Sequence, residues 1–315
     1  MHLLIPFAVP HGPRCQAAIA QLKLPHLGAV LQRFSLTHEH QSNASDLTPL
    51  HERLALTLAG HPLQDGLTGQ AARDALRLGL ANPKLAHPAQ GWAWITPCHW
   101  QIHADHVHMA DPAALQLSAE ESLALLHAMQ GYFAEDGITL HPCSHSTWLA
   151  QGTVFCDLPT ASLQRVVGAS VDAWIHRQAQ AKPLRRLQNE MQMLLYTHPL
   201  NDARAQRGLP VVNSFWVSGT GTPTATAEAA SVLVCNSTLQ AAARADDAAA
   251  WQTAWQQLDS TALRDCTALT LCGTNAAHTY AQEPQAWWQR LHKRFNATPA
   301  ATHLQQLLAK NAAQP

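Results

Sequence analysis

Between Trp94 and Ala110 polar and apolar residues alternate through a run that turns once, and this stretch narrows the possible folds more than any other. Alternation with a period of two belongs to strands, and Ala104-Asp105 supplies a two-residue turn, so the spacing predicts a β-hairpin. Such a turn sets His103 opposite His106 and Gln101 opposite His108. His99, Gln101, His103, His106 and His108 then share one face, while Trp100, Ile102, Val107 and Met109 share the other. Imidazoles two apart on a strand point the same way, and their cross-strand neighbours come close enough to share an ion. His99, His103, His106 and His108 therefore read as a candidate site for a divalent metal, Mn or Zn, with Asp105 and Asp111 as further oxygen donors. The same residues also read as a solvated strand face, because the chain holds 20 histidines, as many as its lysines and arginines together. His141, Cys143 and His145 repeat the spacing around Pro142 and carry the same two readings.

The rest of the pattern predicts an α/β protein: a mixed, mostly parallel sheet flanked by helices, with the β-hairpin as an insertion. Leu3 to Val9 reads as a buried first strand closed by Pro10-His11-Gly12-Pro13, with a helix from Cys15 to Leu22. A helical region from Leu47 to about Leu80 breaks at Gly60-His61-Pro62. Asn82 to Gly91 reads as a connector, which divides the chain into an N-terminal α/β segment, 1–90, and a main α/β domain, 91–315. After the hairpin, Ser118 with Glu120 and Glu121 opens a helix that runs to Phe133. Strands are expected at Ile138–His141, Ser146–Ala150 and Thr153–Cys156, and a helix at Leu163–Ile175. Pro183 starts a further helix with Leu184, Leu187, Met191, Leu194 and Leu195 on one stripe. Asn201 is expected to cap a short helix from Asp202 to Arg207, followed by a strand at Val211–Ser218. Strands at Ser231–Cys235 and Ala268–Cys272, a helix at Thr238–Leu258 and helices to the end complete the expectation.

Composition removes several function classes. With 315 residues and 47% apolar content the chain can bury a large core. A net charge of −1 and the absence of any Lys/Arg run argue against nucleic acid and against an anionic membrane surface as partners. The 7 cysteines are scattered without a C-x-x-C pair, which argues against a zinc ribbon or a thioredoxin-type site. The opening Met1 to Cys15 lacks a basic stretch, and Pro6 and Pro10 interrupt its apolar run, so a cytoplasmic protein with free thiols is expected. No G-x-S-x-G marks a nucleophilic serine, and the 10 tryptophans read as core groups.

The segment from Glu190 to Asn213 gathers Glu190, His198, Asn201, Asp202, Arg204 and Asn213 around a helix end, a helix start and a strand mouth. Such junctions bind ligands in α/β proteins. Free N–H groups at the start of the Asp202 helix, beside Arg204 and His198, would hold a small phosphorylated or carboxylate ligand. The plainer reading of the same residues makes Asn201 a cap, His198-Pro199 a helix stop and Glu190 the i, i+4 partner of Arg186. Gly219-Thr220-Gly221-Thr222-Pro223 follows a strand, so Gly219 and Gly221 would let backbone N–H groups approach an anion. It lacks the third glycine of a dinucleotide fingerprint and the lysine of a phosphate-binding loop, and reads equally as a plain turn.

The run N-E-M-Q-M-L-L-Y-T-H-P-L-N-D-A-R-A-Q-R-G-L-P-V-V-N-S-F-W-V-S-G-T-G, Asn189 to Gly221, resembles the bacterial family labelled RpfE-type regulatory protein, whose members are often called cofactor-independent phosphoglycerate mutase-like. Cys98 to Pro112, the helix that follows, and Val166 to Asp172 extend the resemblance to about the middle half of the chain. It implies an α/β sheet protein with a regulatory or binding role, in which a protein partner would also have a place. Its enzymatic side implies a phosphoryl-transfer or phosphomonoester-hydrolysing activity with two divalent cations and a Ser or Thr nucleophile. In such enzymes the first strand ends in an aspartate ligand, whereas Leu3 to Val9 here runs into Pro10-His11-Gly12 with no carboxylate before Glu39. Three readings follow: an anion-binding regulator, a metal-dependent phosphoryl-transfer enzyme and a histidine-based transition-metal binder.

Overall fold

A computed structural model describes residues 1–81, 90–175, 178–223, 232–282 and 299–312. In chain order the elements are β1 (His2–Ile5), α1 (Pro13–Ala18), α2 (Pro25–Arg33), β2 (Ser35–Gln41), α3 (Leu50–Leu58) and α4 (Gln70–Arg77). Then come β3 (Gly91–Cys98), β4 (Trp100–Ile102), β5 (Val107–Met109), α5 (Ala119–Glu135), β6 (Thr139–Pro142), β7 (Trp148–Gly152) and α6 (Leu163–Val166). α7 (Lys182–Tyr196), α8 (Pro199–Gln206), β8 (Ser214–Gly221), β9 (Leu233–Cys235), α9 (Gln240–Arg244), α10 (Ala248–Thr261), β10 (Ala268–Cys272), β11 (Ala276–Ala281) and α11 (Ala300–Ala312) follow. Among the described residues no helix is long and apolar enough to cross a membrane.

The chain forms two compact units, one of Met1–Ser45, Pro49–Pro62 and Thr226–Pro315, the other of Asp46–Thr48 and Leu63–Ala225. The expected boundary at residue 90 falls inside the second unit, and residues 82–89 of the expected connector lie outside the described residues.

The first unit holds a mixed sheet in the order β2-β11-β10-β1-β9. β1 pairs in parallel with β10 and β9, while β10–β11 and β11–β2 are antiparallel. Leu3, Ile5, Leu269, Leu271 and Tyr280 face Trp251, Trp255, Leu304 and Leu307 of the helices. On the opposite face Leu4, Cys272 and Ala277 meet Leu50 and Leu54 of α3. Helices on both faces explain why β1 is apolar without alternation after His2. That second face also carries polar groups. His2 Nε2 lies 2.8 Å from Thr270 Oγ1, which lies 2.8 Å from Thr279 Oγ1, which lies 3.0 Å from His40 Nε2. One unbroken series of hydrogen bonds thus crosses β1, β10, β11 and β2.

The second unit is built on an antiparallel sheet, β6-β7-β3-β8. One face, with Ala93, Ile95, Trp148, Phe215 and Val217, packs on Leu125, Met129 and Phe133 of α5 and on Leu187 and Met191 of α7. On the other face Trp92 and Leu149 meet Ala71, Ala72 and Ala75, whose small side chains bring α4 close to the strands. Every residue of β8 is buried, as two covered faces require.

The mixed α/β class and the helix-flanked sheet agree with the sequence pattern, and parallel pairing runs through β9, β1 and β10. The hairpin register is also as read: Trp100↔Met109, Gln101↔His108 and Ile102↔Val107, with the His103 N–H donating to His106 O across the turn. It is shorter than expected, because Trp94 to Cys98 belong to β3. The first strand ends at Ile5 rather than Val9, and three further elements also differ from expectation. Helix α6 ends at Val166, since Gly168 takes φ +75° and residues 167–171 lie along β5, with Met109 N–H bonded to Ala169 O and Val171 N–H to Val107 O. Thr153–Phe155 is a short 3-10 turn, not a strand. The helix expected at Thr238–Leu258 is two, α9 and α10, separated where Asp246 adopts φ +48°. Ser231 of the expected Ser231–Cys235 strand, and residues 283–298 and 313–315 of the expected terminal helices, lie outside the described residues.

Candidate functional site

The hairpin and the α7–α8 corner, singled out separately in the sequence, come together in the second unit as the walls of one cavity. Its volume is about 500 Å³. Trp100, Ile102 and Val107 of the hairpin form one side, and Leu195, Tyr196 and Val211 the other, with Ala205 of α8 at the edge. Asn213 fixes the hairpin side by copying a peptide unit. Trp100 N–H donates to Asn213 Oδ1 at 2.7 Å, and Asn213 Nδ2 donates to Trp100 O at 2.8 Å. The pairing of β3 with β8 ends at Cys98↔Ser214, so the side-chain amide continues the ladder where the backbones diverge. Asn201 fixes the helical side. Its Nδ2 donates to Leu195 O at 2.8 Å and Val212 O at 2.6 Å, while its Oδ1 accepts from Val212 N–H at 2.9 Å. Both amides line the cavity, yet their hydrogen-bonding groups face the backbone they hold.

α8 starts three residues earlier than expected, and this changes the chemistry at its tip. His198, not Asn201, is the cap: its Nδ1 accepts from Leu200 N–H at 3.2 Å, and its carbonyl accepts from Asn201 N–H. Pro199 has no N–H to offer. The helix start expected to receive an anion is therefore closed by its own cap.

Arg204 is likewise committed. It is fully buried, with Nε donating to Pro210 O at 2.9 Å, Nη1 to Glu121 Oε2 at 2.6 Å and Nη2 to Leu115 O. Glu121 also accepts from Arg207 and from the backbone N–H of Ser118, whose hydroxyl completes the capping box of α5. Burial pushes the Glu121 carboxyl up, but Arg207, the Ser118 N–H and Arg204 together outweigh it and hold the pKa below its usual value. Glu190 follows the plainer reading. It pairs with Arg186 at 3.5 Å, and Arg186 also grips Asp136.

Gly219 and Gly221 serve packing. Gly219, at φ +68°, lies under the Trp94 ring, which a Cβ would meet at 2.6 Å. At Gly221, φ +143°, a Cβ would lie 2.9 Å from the backbone of Gly69, whose N–H donates to Thr220 O at 2.7 Å. The Gly-Thr-Gly pattern lets α4 approach the end of β8.

The histidine face is real but does not converge. His103 and His106 stack with centroids 4.8 Å apart and planes at 18°, and His108 meets His103 edge-on at 6.2 Å. Stacked rings hold their in-plane lone pairs in parallel layers, which do not point at one ion. His106 Nδ1 also bonds Asp105 at 2.6 Å, His99 Nδ1 bonds Val211 O at 2.8 Å, and Asp111 caps the Ala113 N–H. His141 packs on Trp92, and burial lowers its pKa. Cys143 beside it is exposed, with its thiol pKa raised by burial of the sulfur and by Asp74. Among the described residues no group of three His, Cys, Asp or Glu is placed to hold a metal ion, with His145 no exception.

Sequence reasoning missed the apolar character of the cavity. Ile102 and Tyr196 are 85% and 86% exposed, and Met193, one turn before Tyr196, is 76% exposed. The signal lay in α7, where Met193 and Tyr196 fall off the buried Leu184–Leu187–Met191–Leu195 stripe.

No family model and no curated protein sequence matches this chain, so the RpfE-type resemblance rests on the residues quoted for it. Among solved structures, the chain is similar to the PH0037 protein from Pyrococcus horikoshii, with 12% identity over 89% of this chain and 87% of that one, at a TM-score of 0.45. It is also similar to the cofactor-independent phosphoglycerate mutase from Thermoplasma acidophilum, with 13% identity over 90% of each chain, at a TM-score of 0.36.

Proposed function

We propose that this chain is a binding protein whose Leu63–Ala225 region takes a small, mainly apolar molecule between the hairpin and the α7–α8 corner. The observation that carries this reading is a cavity of about 500 Å³ whose walls are mainly apolar and whose rim leaves Ile102 and Tyr196 almost fully in water. That volume lies within the range of ordinary small-molecule sites. Covering Ile102 alone would contribute roughly 1.5–3 kcal/mol. Asn201 and Asn213 hold the walls in place before a ligand arrives, which lowers the ordering cost of binding.

The anion-binding reading loses its cation, since all three Arg204 nitrogens already donate within the protein. Phosphoryl transfer by two cations needs ligand clusters for each, and the described residues hold no such cluster. A regulatory role remains compatible with a binder, because occupancy of the cavity would then be the signal.

Titration of the protein with the neutral dye N-phenyl-1-naphthylamine tests the proposal. Saturable enhancement of dye fluorescence is expected, and Ile102→Asp should abolish it while leaving the circular dichroism spectrum intact. Absence of saturable binding, or equal affinity in the variant, would overturn the reading.

A further inference from the structure

Resting on that reading, we infer that the ligand of this cavity is an apolar amine, positively charged at neutral pH, rather than a phosphate or a carboxylate. Among the described residues, Asp202 is the one charged side chain on the cavity wall, and it is exposed. A second source of negative potential lies beside it. Gln192, Leu195 and Tyr196 come from the last turns of α7, which carry no basic residue, although the Leu195 carbonyl already accepts from Asn201 Nδ2 and the Leu194 carbonyl from the Thr197 hydroxyl, so its contribution is the smaller one. The positive end of α8 offers little in return. Pro199 has no N–H, and the Leu200 and Asn201 N–H groups are taken by His198.

The two arginines at the end of α8 are engaged elsewhere. Arg204 and Arg207 both bond the Glu121 carboxylate on α5, and neither lines the cavity. The wall also presents two aromatic side chains, Trp100 and Tyr196, whose ring faces attract a cation. An ammonium group seated between Tyr196 and Asp202, with its apolar body against Ile102, Val107 and Leu195, matches the charge and the apolar surface of this lining. A carboxylate in the same place would meet Asp202 with no cation on the wall to pair with.

Three probes of similar shape and different charge test this: 2-naphthylmethylamine, 2-naphthylmethanol and 2-naphthoate, each displacing N-phenyl-1-naphthylamine from the 315-residue chain at pH 7 and low salt. The amine should displace the dye at about one-tenth the concentration of the alcohol, a gain on the order of one exposed ion pair plus one cation–π contact. That advantage should shrink as salt is added. Asp202→Asn should bring the amine-to-alcohol ratio close to one, and Asp202→Lys should make the carboxylate the tightest of the three. If the dye binds but the amine shows no advantage over the alcohol, or keeps its advantage in Asp202→Asn, the inference falls and the apolar site stands. If the dye does not bind at all, both fall together.

Discussion

The two sheets of this chain satisfy their buried polar groups by different means. In the first unit, His2, Thr270, Thr279 and His40 bond one another across four strands, side chain to side chain. In the second, Asn201, Asn213 and Arg204 bond mostly the backbone, standing in for peptide groups where the ladder or a helix ends. In both, the side chains named here have partners, as burial demands. The contrast lies in what each depends on. An amide on a backbone carbonyl is indifferent to pH, whereas a series that ends in two imidazoles is not.

The comparison can be broken most forcefully at Arg204. Arg204→Ala would leave Glu121 and the Leu115 and Pro210 carbonyls short of a buried partner, with an expected loss of about 3–5 kcal/mol in urea-induced unfolding of the second unit. Arg204→Lys should recover little of it, since one ammonium does not span three separated acceptors. A loss under about 1 kcal/mol would show that the buried guanidinium is not the tie described here. Asn213→Ala comes next, with an expected cost of about 1–3 kcal/mol and faster hydrogen exchange at the Trp100 amide. In the first unit, Thr270→Val keeps the shape but removes the middle of the series, for an expected cost of about 1–2 kcal/mol by denaturant unfolding.

Acid should separate the units more gently. Burial lowers the pKa of His2, His40 and His278 from the ordinary 6.5; the N-terminal amine and His40 add to this at His2, and His38 at His40, while Glu39 opposes it at His278. Below about 6.5 the unfolded chain therefore binds these protons more readily than the folded one. The stability they contribute is complete above 6.5 and declines as pH falls below it. His141 is the described histidine of the second unit with the same direction of shift. Hydrogen exchange at pH 7.5 and 5.5, corrected for intrinsic rates, should show β1 and β10 losing more protection than β3 and β8. Equal losses would erase the distinction. The smallest effect is expected for Ile102→Asp, within about 0.5 kcal/mol of wild type, because the side chain stands in solvent.

What the sequence revealed follows the range of the forces involved. The hairpin register, the Ser118–Glu121 capping box and the proline entry of α7 are set by residues a few positions apart, and all three were legible. Helix α2 was not read although Pro25 stands at its first position, because the carboxylate that accepts its His26 and Leu27 N–H groups, Asp259, lies 233 and 232 positions away. Strand β2, Ser-Leu-Thr-His-Glu-His-Gln, lies at a sheet edge with much of its length exposed, so no apolar pattern announced it. The candidate site was found by place and missed by chemistry. Asn201 and Asn213 do wall a cavity, but polar residues crowded there to serve the backbone, and the surface left over is apolar.

The series from His2 to His40 has a further consequence for where hydrogens reside. Three bonds join four heavy atoms, and the two threonine hydroxyls supply two of the three hydrogens needed. With both hydroxyls donating along the series, the third comes from one imidazole Nε2 and the other Nε2 presents its lone pair. In that arrangement the rings at the two ends are complementary tautomers, and a change of tautomer at the partly exposed His40 is matched by rotation of both hydroxyls and a change at the buried His2.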